Sequence, residues 1–251
     1  MYMEAHMIRF LLVCITVIGF LILSIPILIV EWIIGKFNPY KKDISSLHLI
    51  QSVFRFILWL TGVEVTVIGK ELVPTDEAVL YIGNHRSFFD ILLTYTRCPR
   101  LTGYIAKAEM EKIPLLSNWM HYLHCLFLDR KDIKKGLKTI LSGIELIKSG
   151  ISVCIFPEGT RNKGEELSLL PFHNGSFKIA EKTGCPIIPM SLNNTCDIFE
   201  GHFPFIKKTH VILEYGKPIY PKELDKDEKK RIGEYCSNII SETIHKNQAL
   251  V

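Results

Sequence analysis

The short stretch Gly83–Asp90, GNHRSFFD, places His85 and Asp90 five residues apart between two apolar runs, AVLYI and ILLTY. A histidine whose Nδ1–H is held by a carboxylate has a fixed tautomer and a more basic Nε2, so it can take a proton from a hydroxyl group. The same stretch also fits a simpler role, because Ser87 and Asp90 have the spacing of a capping box at a helix start. A catalytic pair and a helix cap are both open at this point.

Helical geometry restricts where His85 can lie. If one helix contained both His85 and Asp90, their side chains would point roughly 140° apart and could not meet. We therefore expect His85 in the turn that follows the strand AVLYI, with Asp90 one turn into the next helix. A site in that turn would lie beyond the carboxyl end of a strand, where open α/β sheets bind ligands.

A second polar turn, FPEGTRN, follows another buried apolar run, ISVCIF, and contains Glu158, Gly159, Thr160 and Arg161. If the two strands are parallel, Arg161 lies at the same sheet edge as His85. Its planar guanidinium group would then suit bidentate binding of a phosphate. The simpler alternative is a surface turn whose arginine pairs with a neighbouring carboxylate. Two polar turns after two buried strands favour a shared site.

The remaining chain alternates between strand-like and helix-like patterns, which predicts an α/β sheet flanked by helices. The segments VEVTVIG, TGYIAK, CPIIPMSL and HVILEYG have the composition of strands. Residues 132–148 and the tail from Lys222 have apolar side chains at helical spacing.

The N-terminal part of the chain is apolar, and residues 10–30 carry no charged side chain. As one helix this run would be about 30 Å long, the thickness of a bilayer's hydrocarbon core. Arg9 precedes the run, whereas Lys36, Lys41 and Lys42 follow it. The positive-inside rule therefore places the rest of the chain on the cytoplasmic side of the cell membrane.

A second apolar segment, residues 47–63, is short for a membrane span. It fits either an interfacial helix or a core helix of the following domain. We expect Pro26 to kink the first helix and residues 35–46 to link the two. These features predict an N-terminal two-helix membrane anchor over residues 1–62 and an α/β domain over residues 63–251.

The composition of the chain and the absence of several known motifs disfavour some classes of function. The formal net charge of +4 suits an anionic membrane or substrate, and we see no nucleic-acid-binding module. The seven cysteines form no C-x-x-C pair, which favours reduced thiols in a cytosol-facing domain. His121, His124 and Cys125 lack a second half of a ligand set, so we expect no metal site there. The absence of G-x-S-x-G and of a P-loop disfavours a serine hydrolase and a nucleotide phosphotransferase.

NHRSFFD and FPEGTRN resemble the first and third sequence blocks of the glycerolipid acyltransferase family, specifically 1-acyl-glycerol-3-phosphate acyltransferases. The segments AKAEMEKIPLL, LFLDR and CPIIPM resemble further blocks of that family, in the family's order. The resemblance covers residues 63–216. One departure is Phe172-His173-Asn174-Gly175, where many relatives have FKKG.

The resemblance implies an acyltransferase-type sheet and acyl transfer from acyl-CoA or acyl carrier protein to the free sn-2 hydroxyl of 1-acyl-glycerol 3-phosphate, giving phosphatidate. His85 would be the general base and Asp90 its orienting partner. The implied substrate-binding residues are Glu158, Gly159, Thr160, Arg161, Arg130 and Lys107, of which Lys107 would stabilise the thioester oxyanion. No metal or prosthetic group is implied. Glycerol 3-phosphate, another lysophospholipid and a lyso-amino-acid lipid are alternative acceptors, and a non-catalytic membrane scaffold is the alternative outside enzymes.

Overall fold

The computed structural model describes residues 2–251, in which helices precede a sheet with helices on both faces. The helices are α1 (Tyr2–Leu23), α2 (Ile25–Phe37), α3 (Pro39–Thr61), α4 (Phe89–Tyr95), α5 (Leu116–Tyr122), α6 (Ile133–Lys148), α7 (Lys178–Thr183), α8 (Lys226–Lys230) and α9 (Ile232–Asn247). The strands are β1 (Glu64–Ile68), β2 (Leu80–Gly83), β3 (Thr102–Lys107), β4 (Leu126–Leu128), β5 (Ser152–Ile155), β6 (Ile187–Asn193) and β7 (His210–Tyr215). The predicted α/β class is confirmed.

The sheet has seven strands in the order β1-β7-β6-β2-β5-β3-β4. β2 lies between β6 and β5 and is parallel to both, with Tyr81 opposite Cys154 on β5. β3 and β4 continue this parallel block, whereas β7 is antiparallel to β6. The carboxyl ends of β2, β5, β3 and β4 therefore meet at one edge, and the polar turns that follow them are neighbours.

Successive residues of the central strands face two separate hydrophobic cores, as the two-residue period of a strand requires. Tyr81 and Cys154 face a core that also contains residues of α2, α3 and α4. Leu80 and Val153 face the opposite core, which contains residues of α6, α7 and α9. The N-terminal helices and α4 thus lie on one face of the sheet, and α6, α7 and α9 lie on the other.

The N-terminal apolar run differs from the prediction in two respects. It is divided at Ser24 into α1 and α2, with Pro26 in the first turn of α2, so the expected disturbance at Pro26 is a break between helices. The predicted linker over residues 35–46 is wrong, because only Asn38 separates α2 from α3. Asn38 Oδ1 accepts a hydrogen bond of 2.9 Å from Lys41 N, and Pro39 occupies the first helical position, which its fixed φ favours.

Two helical segments, His6–Leu23 and Pro39–Thr61, are long and apolar enough to cross a membrane by length and composition. α1 nevertheless lies along the domain: Phe10 stacks on Phe199 at 5.7 Å, and Phe20 lies 5.7 Å from Trp119. The opposite side of these helices is exposed and apolar, and it includes Ile8, Leu11, Ile15, Ile18, Ile22, Leu23, Ile29, Val30, Trp32, Phe37, Phe56 and Trp59. This surface makes the N-terminal helices a candidate membrane anchor. The division into domains at residues 62 and 63 stays a prediction.

Candidate active site

His85 lies in the turn between β2 and α4, so its predicted position outside the helix is confirmed. Its Nδ1 is 2.8 Å from Asp90 Oδ2, and the carboxylate is fully buried. With Nδ1–H donating to that carboxylate, the lone pair is on Nε2. The imidazole ring also stacks on Phe156, with ring centroids 4.4 Å apart, and 16% of the side chain is exposed. The pair therefore holds a histidine in the tautomer that a general base needs.

Asp90 also organises the start of α4. Its Oδ2 accepts hydrogen bonds from the backbone N–H groups of Arg86 at 2.7 Å and Ser87 at 2.8 Å. The contact with Ser87 N is one half of the predicted capping box. The other half differs, because Ser87 Oγ accepts from Phe89 N at 3.1 Å. Asp90 Oδ2 can therefore both cap the start of α4 and orient the His85 ring.

The turn after β5 holds the backbone of His85 from both sides. Glu158 Oε1 accepts from His85 N at 2.7 Å, and His85 O accepts from Asn162 N at 2.7 Å. Glu158 Oε2 accepts from Leu170 N at 2.9 Å. Burial raises the pKa of the Glu158 carboxyl, although the N–H groups of Leu170 and His85 oppose this effect. These contacts give Glu158 a positioning role, and its predicted contact with substrate stays a prediction.

Glu158→Gln is expected to destabilise the protein. The glutamine NH₂ group would replace either Oε1 or Oε2, and it would then face the backbone N–H of His85 or Leu170 as a second donor. An unsatisfied buried group of this kind costs about 1–3 kcal/mol. Denaturant unfolding measures the loss, and Glu165→Gln on the exposed part of the same loop is the matched control. Equal unfolding midpoints for the two variants would contradict the positioning role.

Arg161 lies at the same sheet edge as His85, as the parallel pairing of β2 and β5 requires. Its guanidinium carbon is 3.7 Å from the centroid of the Phe88 ring, and its Nη1 donates to Glu200 Oε1 at 2.8 Å. Glu200 also accepts from Phe88 N at 2.8 Å and from Ser87 Oγ at 2.6 Å. The alternative noted for the sequence, an arginine paired with a carboxylate, is therefore realised. The stacking and the ion pair orient the guanidinium group beside the His85 turn.

The other predicted residues follow neighbouring strands of the parallel block. Arg130 comes two residues after β4 and is exposed, and Lys107 ends β3 with its Nζ 3.1 Å from Glu109 Oε1. Gly159 has a φ of +72°, and a Cβ there would lie 3.1 Å from the His173 ring. Thr160 is exposed in the same turn. The roles of these four residues toward substrate stay predictions.

Comparisons with known proteins identify the family of this chain. A family model described as Acyltransferase matches residues 64–193. The 1-acyl-sn-glycerol-3-phosphate acyltransferase of Borreliella burgdorferi is 30% identical over 189 residues, which cover 74% of each chain. This chain belongs to the acyltransferase family. The Saccharomyces cerevisiae protein of the same name is 28% identical over 200 residues, covering 79% of this chain and 65% of that one.

The acyltransferase fold is also found in a solved structure. The crystal structure of the 1-acyl-sn-glycerophosphate acyltransferase from Thermotoga maritima superposes with a TM-score of 0.83. The alignment covers 99% of this chain and 100% of that chain at 22% sequence identity. The likeness therefore includes the N-terminal helices as well as the sheet.

The candidate site also contains Arg86, a residue that the sequence analysis missed. Arg86 is buried, and its guanidinium donates to Glu165 O and Gly164 O at 2.8 Å each and lies 2.9 Å from Glu166 Oε2. Both of its Nη groups thus donate hydrogen bonds within the protein, and Nε is close to a carboxylate without forming a hydrogen bond. These contacts distinguish Arg86 from the more exposed Arg161. The sequence shows that Arg86 follows His85 directly, but no local pattern predicts that it contacts residues 164–166.

A cavity of about 830 Å³ adjoins this edge on the face of the sheet opposite the N-terminal helices. Its lining includes Leu137, Ile140 and Ile144 of α6, and it reaches Arg130, Gly159 and His173. Within the part of the chain that the structure describes, no group of three histidine, cysteine or acidic side chains could hold a metal ion. His124 instead pairs with Asp43, its Nε2 being 2.8 Å from Oδ2.

Proposed function

We propose that this acyltransferase moves an acyl group from an acyl thioester to the free sn-2 hydroxyl of 1-acyl-glycerol 3-phosphate, giving phosphatidate. The observation that carries the proposal is the His85–Asp90 contact of 2.8 Å at the same sheet edge as Arg161. The relatives named 1-acyl-sn-glycerol-3-phosphate acyltransferase support this choice of acceptor. Either acyl-CoA or acyl carrier protein would serve as the donor.

In the proposed reaction, His85 Nε2 takes the proton of the acceptor hydroxyl as its oxygen attacks the thioester carbonyl carbon. The carbonyl electrons move to oxygen, and Lys107 is proposed to stabilise that oxyanion. When the tetrahedral intermediate collapses, the C–S bond breaks and the departing sulfur takes the proton from His85. Asp90 stabilises the imidazolium that forms between the two steps. No covalent acyl-enzyme is needed, since a thiolate leaves readily.

The acceptor is a lipid, so the site must work at a membrane. The exposed apolar side of α1, α2 and α3 supports contact with a bilayer. Because α1 packs on Phe199 and Trp119 rather than extending away from the domain, it would place the sheet edge close to the lipid surface. The lysines after the first apolar run support a cytoplasmic location for the catalytic domain.

The direct test is an assay of the purified full chain with labelled acyl-CoA and labelled acyl carrier protein. The acceptor panel would contain lysophosphatidate, glycerol 3-phosphate, a lysophospholipid with a larger headgroup and a lyso-amino-acid lipid. We expect the highest kcat/KM for lysophosphatidate. Preference for another acceptor would overturn the assignment of lysophosphatidate as the acceptor. If no acceptor in the panel is acylated, the result would favour a non-catalytic scaffold.

Arg161→Ala is expected to raise the KM for lysophosphatidate, because it removes a charged hydrogen-bond donor from the proposed phosphate site. A hydrogen bond to a charged group contributes about 2 kcal/mol, which corresponds to roughly 30-fold in affinity. Steady-state kinetics with monoacylglycerol, which lacks the phosphate, gives the control, and its KM should change little. An equal change for both acceptors would contradict a phosphate-binding role.

A further inference from the structure

A second cavity, of about 530 Å³, lies between the first turns of α1 and the segment that follows β6. We call it the entry cleft and define it by His6, Glu200, His202, Phe203, Phe205 and Lys207. None of these residues belongs to GNHRSFFD or FPEGTRN, the two polar turns from which the candidate active site was predicted. The place of the cleft in the fold connects the candidate active site with the anchor.

The inner end of the entry cleft is continuous with the candidate active site through Glu200. One carboxylate oxygen of this residue binds Arg161 Nη1 and Phe88 N, each at 2.8 Å, and the other accepts from Ser87 Oγ at 2.6 Å. A group that moves along the cleft to Glu200 therefore arrives at the guanidinium of Arg161. It also arrives at the turn that contains His85.

The outer end is continuous with the apolar surface of the anchor. Phe203 is 71% exposed at the rim of the cleft. Its ring lies 5.4 Å from that of Phe199, which stacks on Phe10 of α1 at 5.7 Å. Exposed apolar side chains of α1, such as Ile8 and Leu11, continue this surface. The cleft therefore leads from an apolar rim to the ion pair of Glu200 with Arg161, so a lipid could keep its acyl chain at the rim while its headgroup approaches the guanidinium group.

The charges within the cleft favour an anion. Lys207 is partly buried, and no carboxylate of residues 2–251 forms an ion pair with it. Glu200, the acid of the cleft, is already paired with Arg161.

The two histidines of the cleft have partners of their own. The ring of His6 contacts Ile206 O at 3.1 Å, and His202 Nε2 lies 3.8 Å from Asp197 Oδ1. A lysine ammonium group binds phosphate as a point charge, without demanding one geometry, and this suits a group in transit.

We propose that the entry cleft admits the phosphate monoester headgroup of the acceptor laterally from the bilayer and delivers it to Arg161. Lys207 attracts the headgroup, and the acyl chain stays against Phe203 and α1. This proposal rests on the proposed function, because it assumes a phosphorylated lipid acceptor. A water-soluble acceptor with a short acyl chain reaches Arg161 from solvent and does not need the cleft.

The chain offers a matched pair of variants for the test. Lys207→Gln and Lys208→Gln each remove one positive charge at adjacent positions, so the two variants have the same net charge. Lys208 lies outside the cleft, where its Nζ pairs with Glu64. Thermal unfolding of both variants checks that they remain folded.

Each variant would be assayed with long-chain lysophosphatidate in phosphatidylcholine vesicles and with a short-chain lysophosphatidate below its micelle concentration. For Lys207→Gln we expect about a tenfold rise in the interfacial KM for the vesicle acceptor, which corresponds to 1.4 kcal/mol. The KM for the short-chain acceptor, the KM for the donor and vesicle binding should change less than about twofold in that comparison. Lys208→Gln should resemble the unsubstituted protein in every measurement.

The outcomes separate the two proposals. An unchanged vesicle KM in Lys207→Gln, or an equal rise for both acceptors, would overturn lateral entry through the cleft and leave the proposed function intact. An equal effect of Lys208→Gln would also overturn it, because surface charge alone would then explain the change. If the unsubstituted protein transfers acyl groups to neither acceptor, the proposed function fails and lateral entry fails with it.

Discussion

His85→Ala is expected to lower acyl transfer by at least 10²–10⁴-fold, the usual contribution of general base catalysis. The variant should remain folded, because Asp90 Oδ2 keeps its hydrogen bonds from the backbone N–H groups of Arg86 and Ser87. The carboxylate is thus not left buried without a donor, which would be costly. Release of free thiol from the acyl thioester, followed together with thermal unfolding, measures both quantities.

The control for this variant is His121→Ala, which removes another histidine near the sheet edge. His121 is more than half exposed and lies 3.7 Å from Glu111, so its loss should leave turnover and stability almost unchanged. Turnover of His85→Ala within tenfold of the unsubstituted protein would contradict the mechanism. Loss of folding would instead show that stacking of His85 on Phe156 is needed for the sheet edge.

Asp90→Asn is expected to lower kcat by about 10²-fold or more while the protein stays folded. The reason lies in the two carboxylate oxygens. Oδ2 accepts all three hydrogen bonds described above, whereas Oδ1 is buried without a hydrogen-bond partner among the described residues. An asparagine can place its oxygen at the Oδ2 position and keep the helix start, but it lacks the charge that stabilises the His85 imidazolium.

Asp90→Ala is the companion variant, because it removes the acceptor as well as the charge. It leaves the N–H groups of Arg86 and Ser87 without their partner, and each costs about 1–3 kcal/mol if it stays unsatisfied. Turnover should therefore fall in both variants, while the free energy of unfolding falls mainly in Asp90→Ala. A near-normal kcat in a folded Asp90→Asn variant would contradict the role of Asp90 as partner of His85 and leave it only the role of a helix cap.

The sequence was sufficient for the parts of the site that depend on local patterns. The apolar runs before His85 and Glu158 predicted two buried strands, and helical geometry placed His85 outside α4. The shared sheet edge required one further assumption, that the strands are parallel, which the pairing of β2 and β5 confirms.

The missed features depend on contacts between distant parts of the chain. Glu200 meets Arg161 because the segment after β6 returns to the sheet edge, and no local pattern encodes that path. β4 was missed because its three residues are too short to show alternation. The single-residue connection at Asn38 was missed because a helix cap and a linker share the same residue types.

The shared core limits how the protein can be made soluble for experiments. Four residues of α2 and α3 pack in the same core as Tyr81 of the sheet, namely Leu28, Leu47, Ile50 and Ile57. Trp119 Nε1 also donates to Ser24 Oγ at 2.9 Å, so the break between α1 and α2 is bonded to the catalytic domain. A shortened chain that begins at residue 63 would leave this core without its side chains from α2 and α3, expose the apolar residues they cover and lose that bond. Detergent or lipid nanodiscs around the full chain are therefore the preparation that keeps the catalytic edge intact.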